Sequence, residues 1–208
     1  DAEAPVSRVQ KGQFEFEEGD VIHVSAVFTL LDDDKPQEIG YDCLEFRNGR
    51  WSSKESADPD TPSQPMMWPW DTRTATFKAY YLAHSTGILA ERTEQLLDAL
   101  RVEADPLFAQ AEDIPYGGAV RLEFKHLCAK LTVTGLKEGE SEFWLRQNGL
   151  PDAFALNRLA DNRLDFGFDE SSEELRPGQD NRVAGISDGA GNVTFYLAPG
   201  DYSDMKID

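Results

Sequence analysis

The feature that most constrains this chain is an alternation of apolar and polar residues that recurs along most of its length. Within 21–28, Ile22, Val24, Ala26 and Phe28 occupy every second position. A period of two matches a β-strand, in which successive side chains point to opposite faces. The same period recurs at 14–16, 41–46, 74–81, 120–124, 127–133, 142–147, 163–168, 182–187, 192–198 and 202–207. The chain is therefore predicted to be mainly β.

Turn-forming residues separate these runs. Asn48-Gly49 stands between two strand patterns, and both residues tolerate positive φ, so this pair predicts a tight hairpin. Pro151, Pro177-Gly178 and the segment 188–192 supply turn chemistry in the second half. Short strands at this spacing, with turns between them, are typical of a β-sandwich.

Three segments depart from the strand pattern. Residues 52–65 are rich in Ser, Asp and Pro and predict a loop, whereas 88–101 carries leucines among charged residues and predicts one short helix. The apolar positions are even-numbered in 120–124 and odd-numbered in 127–133. A single regular strand cannot direct both even-numbered and odd-numbered residues to the same face, so we expect a bulge or kink near Lys125-His126.

Composition and charge exclude several classes of function. The chain of 208 residues has a net charge of −19, from 39 acidic and 20 basic residues. Such a surface repels phosphate backbones and anionic lipid, so we expect no nucleic-acid partner. No stretch approaches the roughly 20 apolar residues that span a bilayer, so no transmembrane segment is expected. The chain opens Asp1-Ala2-Glu3-Ala4-Pro5, without the pattern of a signal peptide.

The residues that hold metals or form disulfides are few. Cys43 and Cys128 both lie in strand patterns, which favours buried thiols, with one disulfide as the alternative. With no CxxC motif and three histidines, we expect no metal site and no cofactor.

Several segments occur in a characteristic order, namely Gly19-Asp20-Val21-Ile22-His23-Val24, Arg50-Trp51, Trp68-Pro69, 75–81, Asp105-Pro106-Leu107-Phe108-Ala109 and 120–131. This ordered set resembles the fimbrillin family, the type V pilus subunits and fimbrillin-like surface lipoproteins of anaerobic Gram-negative bacteria. The similarity extends from about residue 14 to 134, and more loosely to the end. No single motif within it is diagnostic.

The resemblance implies two tandem transthyretin-like β-sandwiches, which we place at 1–134 and 135–208. It also implies export as a lipoprotein to the outer membrane and cell surface, and assembly with other pilus subunits or with itself by donor-strand exchange. Arg8 is the position that matches a protease trimming site ahead of the first strand. The family's last strands should follow 195–200, yet the sequence stops at Asp208, so we expect an incomplete second sandwich and locate no C-terminal donor strand.

Other candidate sites carry less weight. Gly185-Ile186-Ser187-Asp188-Gly189 spells the GxSxG of a nucleophile elbow, but a Gly-rich turn follows it and no His lies beyond His126, so we predict a hairpin turn there. His126 is expected to be a core or bulge histidine whose ring is hydrogen-bonded. We therefore expect no catalytic residue and no enzyme activity.

An aromatic group offers an alternative function. Trp51, Trp68 and Trp70 are the candidates for a platform on which a sugar ring stacks. The preferred hypothesis is a non-catalytic pilus subunit or fimbrillin-like adhesion protein, with a host protein or glycan as a further candidate partner. The alternative is a monomeric, secreted, glycan-binding β-sandwich module.

Overall fold

The computed structural model describes residues 15–32, 38–54, 65–82, 96–101, 105–137, 139, 142–146, 151, 153–169 and 182–207. Within these ranges the chain forms strands joined by turns and no helix, which confirms a mainly β protein. The strands are β1 (Val21–Leu30), β2 (Glu38–Arg47), β3 (Arg50–Ser53), β4 (Thr72–Tyr81), β5 (Leu96–Arg101), β6 (Leu107–Pro115), β7 (Lys125–His126), β8 (Ala129–Thr134), β9 (Trp144–Arg146), β10 (Ala153–Arg158), β11 (Leu164–Asp169), β12 (Arg182–Ala184), β13 (Ile186–Ser187), β14 (Asn192–Leu197) and β15 (Lys206–Ile207).

The chain divides into two compact units whose segments interleave along the sequence. The first comprises Asp1–Leu82, Leu107–Lys125 and Arg158–Leu164, and the second comprises Ala83–Pro106, His126–Asn157 and Asp165–Asp208. Compactness is not a test of independent folding, so the division of the sequence into domains at residue 134 stays a prediction.

The first unit is built on a six-stranded sheet in the order β3-β2-β1-β4-β6-β7. The pairs β2–β3, β1–β2, β1–β4 and β4–β6 are antiparallel. The strand β1 pairs along most of its length on both sides, with Ala26 between Gly40 of β2 and Phe77 of β4. The central strand is the one with the clearest alternation in the sequence.

The alternation in β1 produces the core of this unit. Ile22, Val24, Ala26 and Phe28 are each 3% exposed or less, as predicted from their spacing. Burial of apolar side chains of this kind contributes about 1.5–3 kcal/mol each for the larger ones. His23 on the opposite face is buried as well, and its Nδ1 lies 3.0 Å from the hydroxyl of Tyr41. The ring of Tyr41, on the neighbouring strand β2, stacks on this histidine and helps to bury it.

The hairpin between β2 and β3 is confirmed. Asn48 has φ 53° and Gly49 has φ 73°, so both residues of the two-residue loop lie in the left-handed region. The pairs Arg47–Arg50 and Phe46–Trp51 follow directly. This geometry matches the right-handed twist of the flanking strands.

The second unit contains three three-stranded sheets, in the orders β11-β10-β5, β12-β9-β15 and β13-β14-β8. Two of these sheets share a core, because Leu145 of β9 and Val183 of β12 pack in one cluster with Val193, Phe195 and Leu197 of β14. In β14 the buried residues alternate with half-buried ones. The strand predicted at 192–198 is therefore confirmed as β14.

The segment that spells GxSxG is a strand and a turn. Ser187 lies in β13, which pairs with β14, and the carboxylate of Asp188 accepts hydrogen bonds from the backbone N–H groups of Ala190 and Asn192 at 2.8 and 3.1 Å. These bonds lower the pKa of Asp188, together with the bond from the Asn192 side chain, which is the largest cause. Gly191 has φ +80°, and a Cβ there would meet the carbonyl oxygen of Leu136 at 2.5 Å. The predicted hairpin turn is confirmed.

Two sequence predictions need correction. The helix at 88–101 is wrong for Leu96–Arg101, which form β5 and pair with β10, while 88–95 lie outside the described residues. Pairing with a neighbouring strand overrides the helical preference of leucine. The segment 120–124 belongs to none of the sheets, although Phe124 is buried and its neighbours alternate as predicted.

The kink expected near Lys125-His126 is present slightly later in the chain. Residues 127 and 128 form a bend between β7, at the edge of the six-stranded sheet, and β8, which belongs to another sheet. The change of sheet explains why the inward-facing positions shift from even to odd numbers. Phe77 and Phe124 are buried, whereas Leu131 and Val133 are partly buried against the second core.

Candidate assembly site

The chain enters the six-stranded sheet through a turn at Glu17–Asp20. The N–H of Asp20 donates to the carbonyl oxygen of Glu17 at 3.0 Å, and Gly19 supplies the positive φ of 93° that the turn requires. The N–H of Gly19 donates to the carbonyl oxygen of Phe46 at 2.9 Å, and the N–H of Phe46 donates to that of Asp20 at 2.8 Å. The turn is thereby tied to the end of β2.

Acidic side chains reinforce this turn. One carboxylate oxygen of Asp20 accepts from the N–H of Glu17 at 2.7 Å, and the other accepts from the hydroxyl of Tyr81 at 2.8 Å. The side chain of Glu18 accepts from the N–H of Asn48 at 2.7 Å, in the loop of the β2–β3 hairpin. Glutamate and aspartate here act as hydrogen-bond acceptors that fix the path of the backbone.

Tyr81 is held in its protonated form at this turn. Burial raises the pKa of its phenol well above the ordinary value, and the adjacent Asp20 carboxylate raises it further. A neutral hydroxyl can donate to a carboxylate, whereas a phenolate would be repelled by it. The bond between Tyr81 and Asp20 is therefore maintained across the physiological pH range.

Phe16, just ahead of the turn, lies among four aromatic rings. Its ring centroid is 4.9 Å from that of Trp51, 5.4 Å from Tyr81, 5.5 Å from Phe124 and 6.3 Å from Phe46. The first three contacts are edge-to-face, the geometry that aromatic rings prefer. The sequence predicted a half-buried strand here; Phe16 is half-buried but belongs to no strand, and Phe14 lies outside the described residues.

An extended segment at 65–71 crosses the other end of the same apolar face. The N–H of Met66 donates to the buried carboxylate of Asp42 at 3.1 Å, and the hydroxyl of Ser53 donates to the same oxygen at 2.6 Å. The Met66 side chain occupies the space above Gly40, where a Cβ would approach it to 2.6 Å. Glycine at this position lets the segment lie directly on β2.

Trp68 anchors the same segment. Its ring lies 5.4 Å from that of Phe77, 6.0 Å from Phe28 and 5.8 Å from Tyr116. The side chains of Met67 and Trp70 are instead exposed to solvent, and Trp70 is 80% exposed. Together with the exposed Leu31 and Tyr116, they give this end of the unit an apolar surface.

Gly118–Phe124 is a third extended segment associated with the sheet. Val120 and Leu122 are half-buried and Phe124 is 6% exposed, with its ring against that of Phe16. Among the described residues of the first unit, the apolar face is thus covered by Phe16, by 65–71 and by 118–124, none of which belongs to a sheet. These segments form a layer on the sheet without the ladder of backbone hydrogen bonds that joins neighbouring strands.

The three tryptophans proposed as a stacking platform belong to different places. Trp51 packs against Phe16 and Phe46 near the start of β1, and Trp68 packs against Phe28 near its end. Six residues of β1 separate these ends, which is about 20 Å of strand. Trp70 is the exposed member. The structure does not test sugar stacking, which stays a prediction.

The remaining sequence candidates are placed as follows. Arg8 lies outside the described residues, and its role as a trimming site stays a prediction. His126 is partly exposed, not a core residue, and its Nδ1 lies 2.8 Å from the carboxylate of Asp105, which satisfies the ring as expected. Burial raises the pKa of Asp105, and His126 opposes that shift. Cys43 is half-buried and Cys128 is buried; both are thiols, and no disulfide joins them.

Two parts of this arrangement were not found from the sequence. In the sequence, Asp42 is a single polar residue within a strand pattern. It lies two and four positions before Leu44 and Phe46, so its side chain is on the same apolar face. Phe16 looked like a strand residue, and its contacts with Tyr81 and Phe124 join residues far apart in sequence. Parity could have indicated Asp42, but no local pattern reveals a long-range ring cluster.

Comparison with known proteins identifies the family of this chain. The chain matches the model of a family described as fimbrillin-like over residues 7–150, which is more than half of its length. No curated protein matches it. The described residues contain no helix that could cross a membrane. On the strength of the matched range, this chain belongs to the fimbrillin-like family.

Proposed function

We propose that this protein is a non-catalytic fimbrial subunit or fimbrillin-like adhesion protein, exported as a lipoprotein to the outer membrane and joined to its neighbours by donor-strand exchange. Membership of the fimbrillin-like family is the observation that carries the proposal. In this proposal the chain forms two transthyretin-like sandwiches, and its partners are other subunits, a second copy, or a host protein or glycan.

The covering of the six-stranded sheet supports strand exchange. Two segments that belong to no sheet, 65–71 and 118–124, lie against the apolar face of this sheet. Extended segments are the form in which one subunit can supply a strand to another, because backbone groups and alternating side chains then bind together. We assign the acceptor groove to the part of this face that lies against 118–124, because Phe124 of that segment packs against Phe16 in the aromatic cluster.

Trimming at Arg8 is consistent with the way in which the chain is held at Phe16. A cut after Arg8 removes 1–8 and leaves Phe16 and the turn at Glu17–Asp20 on the retained chain. That turn is tied to β2 and to Tyr81 by hydrogen bonds of 2.7–3.0 Å. The first strand should therefore keep its register after the cut, so trimming should change association and leave folding intact.

Limited digestion with trypsin tests this proposal. We expect a product beginning at Val9 or Gly12, identified by N-terminal sequencing, whose light scattering rises with concentration while its circular dichroism is unchanged. Arg8→Gln with Lys11→Gln is the matched control, because trypsin then has no site ahead of Phe16. A trimmed product that stays monomeric at high concentration would argue against donor-strand assembly.

A second candidate function, glycan binding by a monomeric module, has one observation in its favour. The indole of Trp70 is 80% exposed, as a stacking surface requires. Loss of glycan-array binding in Trp70→Ala, with binding retained in Leu31→Ala, would support it. Trp68→Ala is a poorer test, because the Trp68 ring packs against Phe28 and Phe77.

A further inference from the structure

Two edge strands, β3 and β11, carry opposite charges on a chain that is strongly acidic overall. The strand β3 is at one edge of the six-stranded sheet, and β11 is at one edge of the sheet β11-β10-β5. Within the described residues, neither outer side is paired with another strand. An unpaired edge presents backbone N–H and C=O groups that can bind a further strand.

The backbone of β3 has its outward groups at known positions. Lys54 donates its N–H to Cys43 at 2.7 Å, and Leu44–Ser53, Glu45–Ser52 and Phe46–Trp51 are the preceding pairs. Hydrogen-bonded and non-hydrogen-bonded pairs alternate in an antiparallel ladder. Trp51 and Ser53 therefore direct their N–H and C=O groups away from β2, toward the open edge.

The exposed face of β3 is basic. Arg50 and Lys54 lie four residues apart on the face opposite to Trp51, and both are exposed. No described carboxylate forms an ion pair with either side chain, although the chain carries 39 acidic residues. Positive side chains on an edge reject neutral or basic strands and favour an acidic one.

On the other face of β3, one side-chain donor has no acceptor among the described residues. The indole N–H of Trp51 is buried and has no acceptor among the described residues. A buried donor without an acceptor is unfavourable, so a group that accepts from this N–H would stabilise the edge.

The sequence of β11 has the complementary pattern. Asp165 is exposed, and Asp169 follows four residues later at the same parity, while Leu164, Phe166 and Phe168 alternate with them and are half-buried. Gly167 lies between the two aspartates with nothing within 4 Å of where a Cβ would be. The spacing of four residues between the acidic positions equals that between Arg50 and Lys54.

We propose that β3 of one copy pairs with β11 of a second copy, in an antiparallel register that sets Arg50 opposite Asp169, Ser52 opposite Gly167 and Lys54 opposite Asp165. This register places Trp51 opposite Phe168 on the other face. The contact joins two different surfaces, so it can extend from copy to copy as a chain of subunits. It does not require a donated N-terminal strand, and it is separate from the trimming-dependent assembly proposed above.

Cysteine cross-linking of the uncut, full-length chain tests this register. Ser52→Cys in one protein and Gly167→Cys in a second protein that carries a mass tag are mixed, oxidised and separated on a non-reducing gel. We expect a mixed dimer. Ser52→Cys mixed with Ser203→Cys is the matched control, because Ser203 is exposed and lies in neither strand. Equal yields from the two mixtures would overturn the proposal.

Charge reversal provides a second measurement that does not depend on cysteine reactivity. Arg50→Glu with Lys54→Glu should abolish the mixed dimer, and Asp165→Lys with Asp169→Lys on the other protein should restore it. Self-association of the unmodified chain, followed by sedimentation equilibrium, should be lost in the first variant and retained in Lys78→Glu with Lys130→Glu. Charge reversal without effect on either readout would overturn the proposal, and it would leave assembly after trimming at Arg8 untouched.

Discussion

Loss of the contact between Phe16 and Phe124 should lower the free energy of unfolding by a measurable amount. Their ring centroids are 5.5 Å apart in an edge-to-face arrangement. Replacing a fully buried phenylalanine by alanine costs about 3–5 kcal/mol, so we expect that range for Phe124→Ala. Phe16 is half-buried, so Phe16→Ala should lower the free energy of unfolding by a smaller amount, about 2–3 kcal/mol.

A double-mutant cycle isolates the interaction between the two rings. Aromatic pairs contribute about 0.5–1.5 kcal/mol beyond their buried area, so the double variant should be less destabilised than the sum of the single variants by that amount. Urea unfolding followed by tryptophan fluorescence is the assay, because Trp51 lies 4.9 Å from Phe16 and reports on the cluster. The circular dichroism of each variant checks that it still folds.

The control cycle pairs Phe16→Ala with Phe108→Ala. Phe108 packs against Tyr80, at a position whose parity is opposite to that of the buried residues of β6. Residues without shared partners give additive effects to within about 0.3–0.5 kcal/mol. A coupling of that size or less between Phe16 and Phe124 would refute the view that this cluster anchors the N-terminal segment.

Two further results are expected. Asp42→Ala should lower the free energy of unfolding by about 1–3 kcal/mol, because the half-buried hydroxyl of Ser53 and the N–H of Met66 lose their acceptor. Ser52→Ala, on the exposed face, is the control, and an equal effect in urea unfolding would contradict the assignment. Burial raises the pKa of Tyr202 to about 12, and its hydroxyl donates to the carbonyl oxygen of Ala198. The phenol of the unfolded chain ionises near pH 10, so this stabilisation should be complete below that pH and disappear as the pH rises toward 12. The melting temperature of Tyr202→Phe should therefore depend less on pH in this window. An unchanged pH dependence would contradict the role of the Tyr202 hydroxyl.

Tertiary contacts determined the secondary structure of segments for which the local sequence preference predicted it wrongly. The leucine-rich segment ending at Arg101 suits a helix by composition, yet Leu96–Arg101 pair with β10, and a ladder of backbone hydrogen bonds outweighs a weak helical preference. The strands β6 and β10 were not predicted at all. Their short apolar runs carry too little alternation to be distinguished from loops or helices without their partners.

The sequence by itself determined the class of the fold, the strand at 21–28 and the tight turns. A period of two can bury one face only as a strand, which is why the alternation at Ile22–Phe28 predicted the core correctly, and Asn48-Gly49 favours one loop geometry through its own φ preferences. The tertiary structure alone decided which rings meet at Phe16, which carboxylate is buried at Asp42 and which strands lie at the edges. Those features depend on residues far apart in the chain, and local patterns carry no information about which distant segment a face will contact.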